Sequence, residues 1–153
     1  MSFKNQLNLR SIANNAFEEC SNSERISLCG CIELDSISIP STIKYIDDYG
    51  FCNWSAKETI IIPSLIESIG NYSFYKCINL INITIKEESN YKKIGDYSFC
   101  KCINLINISI KELSNLTKIG SYSFSYCINL KSIILPLQLK ESITILSNIS
   151  RIH

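Results

Sequence analysis

The chain has 153 residues, 46% of them apolar, and a formal net charge of +1 from 15 basic and 14 acidic side chains. That apolar share suits one domain with a sizeable core and excludes a disordered chain. The charge balance gives no electrostatic case for nucleic acid or an anionic membrane, and no run approaches the roughly 18–20 apolar residues of a membrane span.

Met1 to Asn15 reads MSFKNQLNLRSIANN and lacks the unbroken apolar stretch of a signal peptide. A cytoplasmic location follows as the expectation, or the cell surface if the chain is part of a longer exported protein. Leu9-Arg10-Ser11-Ile12 matches Ile66-Glu67-Ser68-Ile69, so the chain starts in mid-repeat. Ile26 and Leu28 fall six and eight residues after Cys20, where a strand pair belongs. Then CGC at 29–31 enters the next copy without its Ile-Gly-Tyr half. Residues 20–31 are read as a degenerate coil, with an inserted loop as the alternative.

From there one sentence recurs: IGNYSFYKCINLINITI at 69–85, IGDYSFCKCINLINISI at 94–110 and IGSYSFSYCINLKSIIL at 119–135. Phe17, Phe51, Phe74, Phe99 and Phe124 mark the copies, with spacings of 34, 23, 25 and 25. A period in the twenties signals a solenoid whose stacked coils each contribute a strand. The second half of the unit alternates, as a half-buried strand does. Its inward pairs are Ile37/Ile39, Ile60/Ile62, Ile83/Ile85, Ile108/Ile110 and Ile133/Leu135. In the first half, Gly70, Ser73, Phe74 and Cys77 fall at i, i+3, i+4 and i+7, which predicts a short helical turn with one face inward. The residue before Phe is always small: Ala16, Gly50, Ser73, Ser98, Ser123. Gly70, Gly95 and Gly120 stand where a left-handed backbone is expected. Two copies end their strand with Pro-Ser, at 40–41 and 63–64, and two carry longer charged loops, at 86–90 and 111–115. Pro136 to His153 loses the Tyr-Ser-Phe motif and reads as an irregular cap, 136–153. The whole chain, 1–153, is thus one repeat solenoid of about five to six repeats of 23–25 residues.

The unit Ile-Gly-x-Tyr-Ser-Phe-x-x-Cys-x-x-Leu-x-x-Ile-x-Ile-Pro resembles the BspA-like, or Treponema pallidum type, leucine-rich repeat. IDDYGFCNW, IGNYSFYKC, IGDYSFCKC and IGSYSFSYC carry the resemblance, with the strands LDSISIP and LKSIILP. It implies a leucine-rich repeat solenoid of the α/β class, β-rich. It further implies a right-handed superhelix with a parallel sheet on its concave side and short helical turns opposite. It also implies a curved module that binds other macromolecules, and often surface adhesion.

Cys20, Cys31, Cys77, Cys102 and Cys127 share one slot, which Trp54 fills once, so the slot reads as buried packing. The close Cys pairs, 29/31 and 100/102, have one residue between and no nearby His, which does not suit zinc. The one histidine is His153, and no phosphate loop, nucleophile elbow or dinucleotide fingerprint is present. No catalytic, metal or cofactor-binding residue is assigned, and no enzyme is expected. Asn-x-Ser/Thr occurs at Asn53, Asn71, Asn82, Asn107, Asn115 and Asn148, but repeats copy one another and glycosylation requires secretion.

Two surfaces remain as candidates. One is the outward face of the strands: Ser36, Thr59, Asn82, Asn107 and Ser132 in one row, and Ser38, Ile61, Thr84, Ser109 and Ile134 in the next. The other is a stripe of Tyr49, Tyr72, Tyr97 and Tyr122, since aromatic residues are enriched in interface hot spots. The expected function is a non-enzymatic module binding a protein or a glycan, without cofactor, nucleic acid or membrane insertion. The alternative is a structural role in which open solenoid ends associate with further copies.

Overall fold

The computed structural model describes residues 25–29, 39–55, 58–85, 92–110, 115–134 and 139. Several expectations lie outside them: the copy around Phe17, Ile37, Leu135, both charged loops up to residue 114, and the cap at 136–153 apart from Leu139.

The described residues form nine strands in two parallel sheets. Short strands β1 (Arg25–Ile26), β2 (Tyr45–Ile46), β4 (Ser68–Ile69), β6 (Lys93–Ile94) and β8 (Lys118–Ile119) stack in the order β1-β2-β4-β6-β8. Longer strands β3 (Thr59–Ile62), β5 (Asn82–Ile85), β7 (Asn107–Ile110) and β9 (Ser132–Ile134) stack as β3-β5-β7-β9. Every pairing is in register with the repeat: Ile60 lies opposite Ile83, Ile83 opposite Ile108, and Ile108 opposite Ile133. Like therefore stands on like along the axis, and each coil buries what the next one offers.

The core follows the apolar letters. Ile60, Ile62, Ile83, Ile85, Ile108 and Ile110 point inward from the long strands, and Ile46, Ile69 and Ile94 from the short ones. Phe51, Phe74, Phe99 and Phe124 form one continuous ring stack, with centroids 5.1, 5.1 and 5.6 Å apart and planes within 8°. Trp54 packs on Phe51 at 5.7 Å.

The predicted helical turns are not helical. Residues 71–76, 96–101 and 121–126 are successive tight turns. In each coil the Tyr and the residue two after Phe have positive φ: Tyr49 and Asn53, Tyr72 and Lys76, Tyr97 and Lys101, Tyr122 and Tyr126, all between 54° and 63°. A positive φ at the third turn position marks a type II turn and breaks a helix. Alternate amides consequently turn outward along the axis. Tyr72, Phe74 and Lys76 donate to the Asp96, Ser98 and Cys100 carbonyls of the next coil, while Tyr75 and Cys77 close local turns onto Tyr72 and Phe74. The i, i+3, i+4 pattern was thus an inward face produced by turns, not by a helix.

The glycines are also not left-handed; they mark close approach between coils. A Cβ on Gly70 would lie 2.5 Å from the Asp48 nitrogen, on Gly95 2.6 Å from that of Asn71, and on Gly120 2.4 Å from that of Asp96. Asp47 fills this slot in the coil of β2. In the preceding coil a single residue, Ser27, separates Ile26 from Leu28, where later coils have four between Ile and Phe. The peptide that would clash is missing there.

Ile26 and Leu28 are not the pair of a long strand. Ile26 pairs with Ile46, and the Leu28 amide donates to the Gly50 carbonyl as that of Phe51 does to Ser73. They are the short-strand Ile and the Phe-slot residue of a coil three residues shorter.

Candidate functional site: the outward face of the long strands

The pleat that turns Ile60, Ile83 and Ile108 inward turns their neighbours to solvent. Thr59, Asn82, Asn107 and Ser132 stand in register on successive strands. Asn107 Nδ2 donates to Asn82 Oδ1 at 3.0 Å, and Ser132 Oγ to Asn107 Oδ1 at 2.9 Å. These side chains hold each other in fixed orientations, yet remain at least part-exposed. In the second row, Ile61, Thr84, Ser109 and Ile134 are also in register. Ile61 is 54% exposed, beside Thr84. Neither row carries a charge. Ser36 and Ser38 lie outside the described residues.

The tyrosine stripe is a ladder. Tyr49, Tyr72, Tyr97 and Tyr122 stack with centroids 5.1, 4.9 and 5.1 Å apart and planes within 15°. Tyr49 and Tyr122 are each 48% exposed, and the two between are half-buried. Stacking covers the ring faces and leaves edges and hydroxyls outward. Beside it, Lys101 Nζ sits 5.7 Å from both the Tyr75 and Tyr126 centroids, and Lys76 Nζ 5.6 Å from that of Tyr75. Tyr75 raises the pKa of Lys101, through a hydrogen bond first and charge second.

Three polar ladders join the coils, and none was assigned from sequence. Asp48 Oδ1 accepts from the Asn71 amide at 2.6 Å, Asn71 Oδ1 from Asp96 at 2.9 Å, and Asp96 Oδ1 from Ser121 at 2.8 Å. Ser73, Ser98 and Ser123 are buried, each with Oγ 2.6 Å from the carbonyl of its own coil's glycine, and Ser98 and Ser123 also reach the Gly70 and Gly95 carbonyls of the preceding coil at 3.0 Å. In these three coils the slot thus supplies a hydroxyl as well as small size, whereas Gly50 fills it by size alone. The Cys77, Cys102 and Cys127 thiols donate to the carbonyls of Phe51, Phe74 and Phe99 at 3.1, 3.0 and 3.1 Å. Burial raises the Cys102 and Cys127 thiols well above the ordinary range, and raises Cys100 too. A thiol held protonated is a poor nucleophile and a poor metal ligand. Among the described residues, no three His, Cys, Asp or Glu side chains gather where an ion would sit, and no helix is long and apolar enough to cross a membrane.

Beside the coil of β1 lies an open cleft of about 480 Å³, lined by residues including Ser27, Tyr45, Asp48, Ser68, Asn71 and Lys93. Asp48 is already engaged there by Asn71.

The stacked coils, three of them with an Ile-Gly-x-Tyr turn ahead of an alternating strand, find their match in a known repeat. The BspA type leucine rich repeat region matches residues 1–33 and 27–148, in six copies. The chain belongs to this family. No curated protein matches the sequence. Among solved structures, a leucine-rich repeat protein from Eubacterium ventriosum is similar, with 24% identity, a TM-score of 0.65, and 76% of this chain covered. One from Bacteroides ovatus has 26% identity and a TM-score of 0.47 over 82% of this chain. The T. pallidum leucine-rich repeat protein has 20% identity and a TM-score of 0.44, with 95% of this chain and 82% of that one covered. The BspA-type chain described here spans 31% of the Eubacterium protein and 40% of the Bacteroides one.

Proposed function

We propose that this BspA-type solenoid is a non-enzymatic module that binds a protein through the outward face of its long strands. The observation that carries the reading is the ordered, uncharged ladder Asn82–Asn107–Ser132 beside exposed Ile61. Side chains already fixed by each other lose little entropy when a partner docks. The face offers amide and hydroxyl groups next to apolar area, a mixture that suits a protein surface. The tyrosine stripe is the secondary contact, through ring edges and hydroxyls. A protein fits better than a glycan because neighbouring tyrosines cover both ring faces of Tyr72 and Tyr97 and one face each of Tyr49 and Tyr122, the faces on which a sugar would stack.

The test compares the wild-type chain, the Asn82→Arg/Asn107→Arg variant and a Lys118→Glu variant altered on the short-strand sheet. Each is immobilised and exposed to extract of the native cells, and retained proteins are quantified by mass spectrometry. A protein held by wild type and by Lys118→Glu, and lost from the double variant, is the expected result. Retention of the same proteins by all three would overturn the reading.

A further inference from the structure

The thiols not used in the buried ladder include one pair with distinctive placement. Ile26 lies opposite Ile46, and the Leu28 amide donates to the Gly50 carbonyl at 2.5 Å. The same bond recurs from Phe51 to Ser73 and from Phe74 to Ser98. Leu28 therefore occupies the slot of Phe51, and the residues that follow, Cys29 and Cys52, occupy one slot of adjacent coils. Parallel strands lie about 4.8 Å apart, inside the roughly 4.4–6.8 Å Cα separation that a disulfide spans. Elsewhere in the stack, rings sharing a slot lie 4.9 Å apart at Tyr72 and Tyr97.

We propose that Cys29 and Cys52 are an oxidation site, closing a disulfide that staples the coil of β1 to the coil of β2. Access divides the work. Cys29 is half-buried and Cys52 buried, and both are free thiols. Burial first, and the neighbouring Cys29 second, push the Cys52 thiol up to about 11. Cys29 is thus the thiol that meets an oxidant, and Cys52 the one that resolves the intermediate. With a low-molecular-weight disulfide as oxidant, the Cys29 thiolate attacks one sulfur and expels the other half as a thiolate, which takes up a proton. Cys52 then loses its proton, attacks the Cys29 sulfur and expels the second half as a thiol. Two protein thiols are oxidised and one small disulfide is reduced to two thiols.

The other thiols differ in a way that makes the site selective. Cys77, Cys102 and Cys127 also share a slot, but they are buried and bonded to carbonyls. Cys100 shares its slot with Tyr75 and Ser125 in the flanking coils. Among the described residues, a reachable thiol meets a neighbouring one only at Cys29 and Cys52.

The test treats the reduced full chain with oxidised glutathione, quenches in acid, alkylates under denaturing conditions and maps the peptides. The expected product has lost two hydrogens and joins the Cys29 and Cys52 peptides, forming faster as pH rises. The Cys52→Ser variant should stop at the Cys29–glutathione mixed disulfide. Linkage of Cys29 to Cys20 or Cys31, or a mixed disulfide at Cys29 that persists in the wild-type chain, would overturn the proposal.

Discussion

Replacing Gly95 by Ala tests the packing of coil on coil most sharply. The added Cβ would lie 2.6 Å from the Asn71 nitrogen and the Gly70 carbonyl carbon, and 2.7 Å from the Gly70 oxygen. All three atoms are backbone, so no side chain can swing aside. Ordinary contact begins near 3.4 Å, so the coils must part by up to 0.8 Å (3.4 − 2.6). Three bonds cross that gap, each 2.9 Å long: Gly95 N to Ile69 O, Tyr72 N to Asp96 O, and Asp96 N to Asn71 Oδ1. Stretching them by that amount takes them beyond hydrogen-bond range. At about 1 kcal/mol each the loss is about 3 kcal/mol. The smaller entropy of an alanine-containing unfolded chain offsets about 0.4–1 kcal/mol. The net expectation is a loss of about 2–3 kcal/mol in urea denaturation. Gly95→Asn separates this account from a left-handed one. Asn is among the residues that best tolerate a left-handed backbone, yet it carries the same Cβ. It should therefore destabilise at least as much as Ala. A Gly95→Ala variant within about 0.5 kcal/mol of wild type, or an Asn variant that recovers most of the loss, would refute the close-approach reasoning.

Two further expectations follow from the ladders. Tyr97 stacks on Tyr72 and Tyr122 from a left-handed backbone (φ 54°); both Tyr97→Ala and Tyr97→Gly lose the stacking, but Gly also relieves about 1 kcal/mol of backbone strain. Gly should therefore be the milder variant in thermal melts, and equal losses would contradict the assignment. The raised thiols predict alkaline sensitivity in the reduced protein: Cys52, Cys100, Cys102 and Cys127 all lie above their ordinary value of 9.0 when folded. Their stabilising effect is complete below that value and is lost as pH rises through the folded values, because the unfolded chain releases these protons first. Each thiol contributes a slope of about 1.4 kcal/mol per pH unit over that window. Tm should hold from pH 7 to about 8.5 and fall steeply above 9; a flat Tm to about pH 10.5 would contradict it.

What could be read from the sequence was whatever repeats as hydrophobicity. Ile83/Ile85 and their counterparts alternate, and Phe74, Phe99 and Phe124 recur, so strand, core and stacking direction follow from period alone. What stayed hidden depends on a partner one coil away. The Ser98 hydroxyl and the Cys102 thiol look like small packing residues until the carbonyls of Gly70 and Phe74 stand opposite them. The Asn71 side chain looks like an arbitrary polar letter until the Asp96 amide arrives. The left-handed tyrosines were hidden for another reason. Local preference assigns that backbone to glycine, and here ring stacking and inter-coil hydrogen bonds override it. The coil of β1 misled because deleting three residues sets Ile26 and Leu28 two apart, which imitates strand alternation. For the long-strand face, alternation identified the outward rows Asn82/Asn107 and Thr84/Ser109, while the bonds that order the first row needed the register.

The central claim is that residues one repeat apart lie on top of one another. Through-space proton NMR tests it directly, on protein labelled at Phe, Ile and Asn. The account predicts cross-peaks from Phe74 to Phe99, from Ile83 to Ile108, and between the Asn82 and Asn107 side chains. It predicts no run of i to i+3 Hα–Hβ cross-peaks over residues 71–77. A helical run there, with the inter-coil peaks missing, would contradict it.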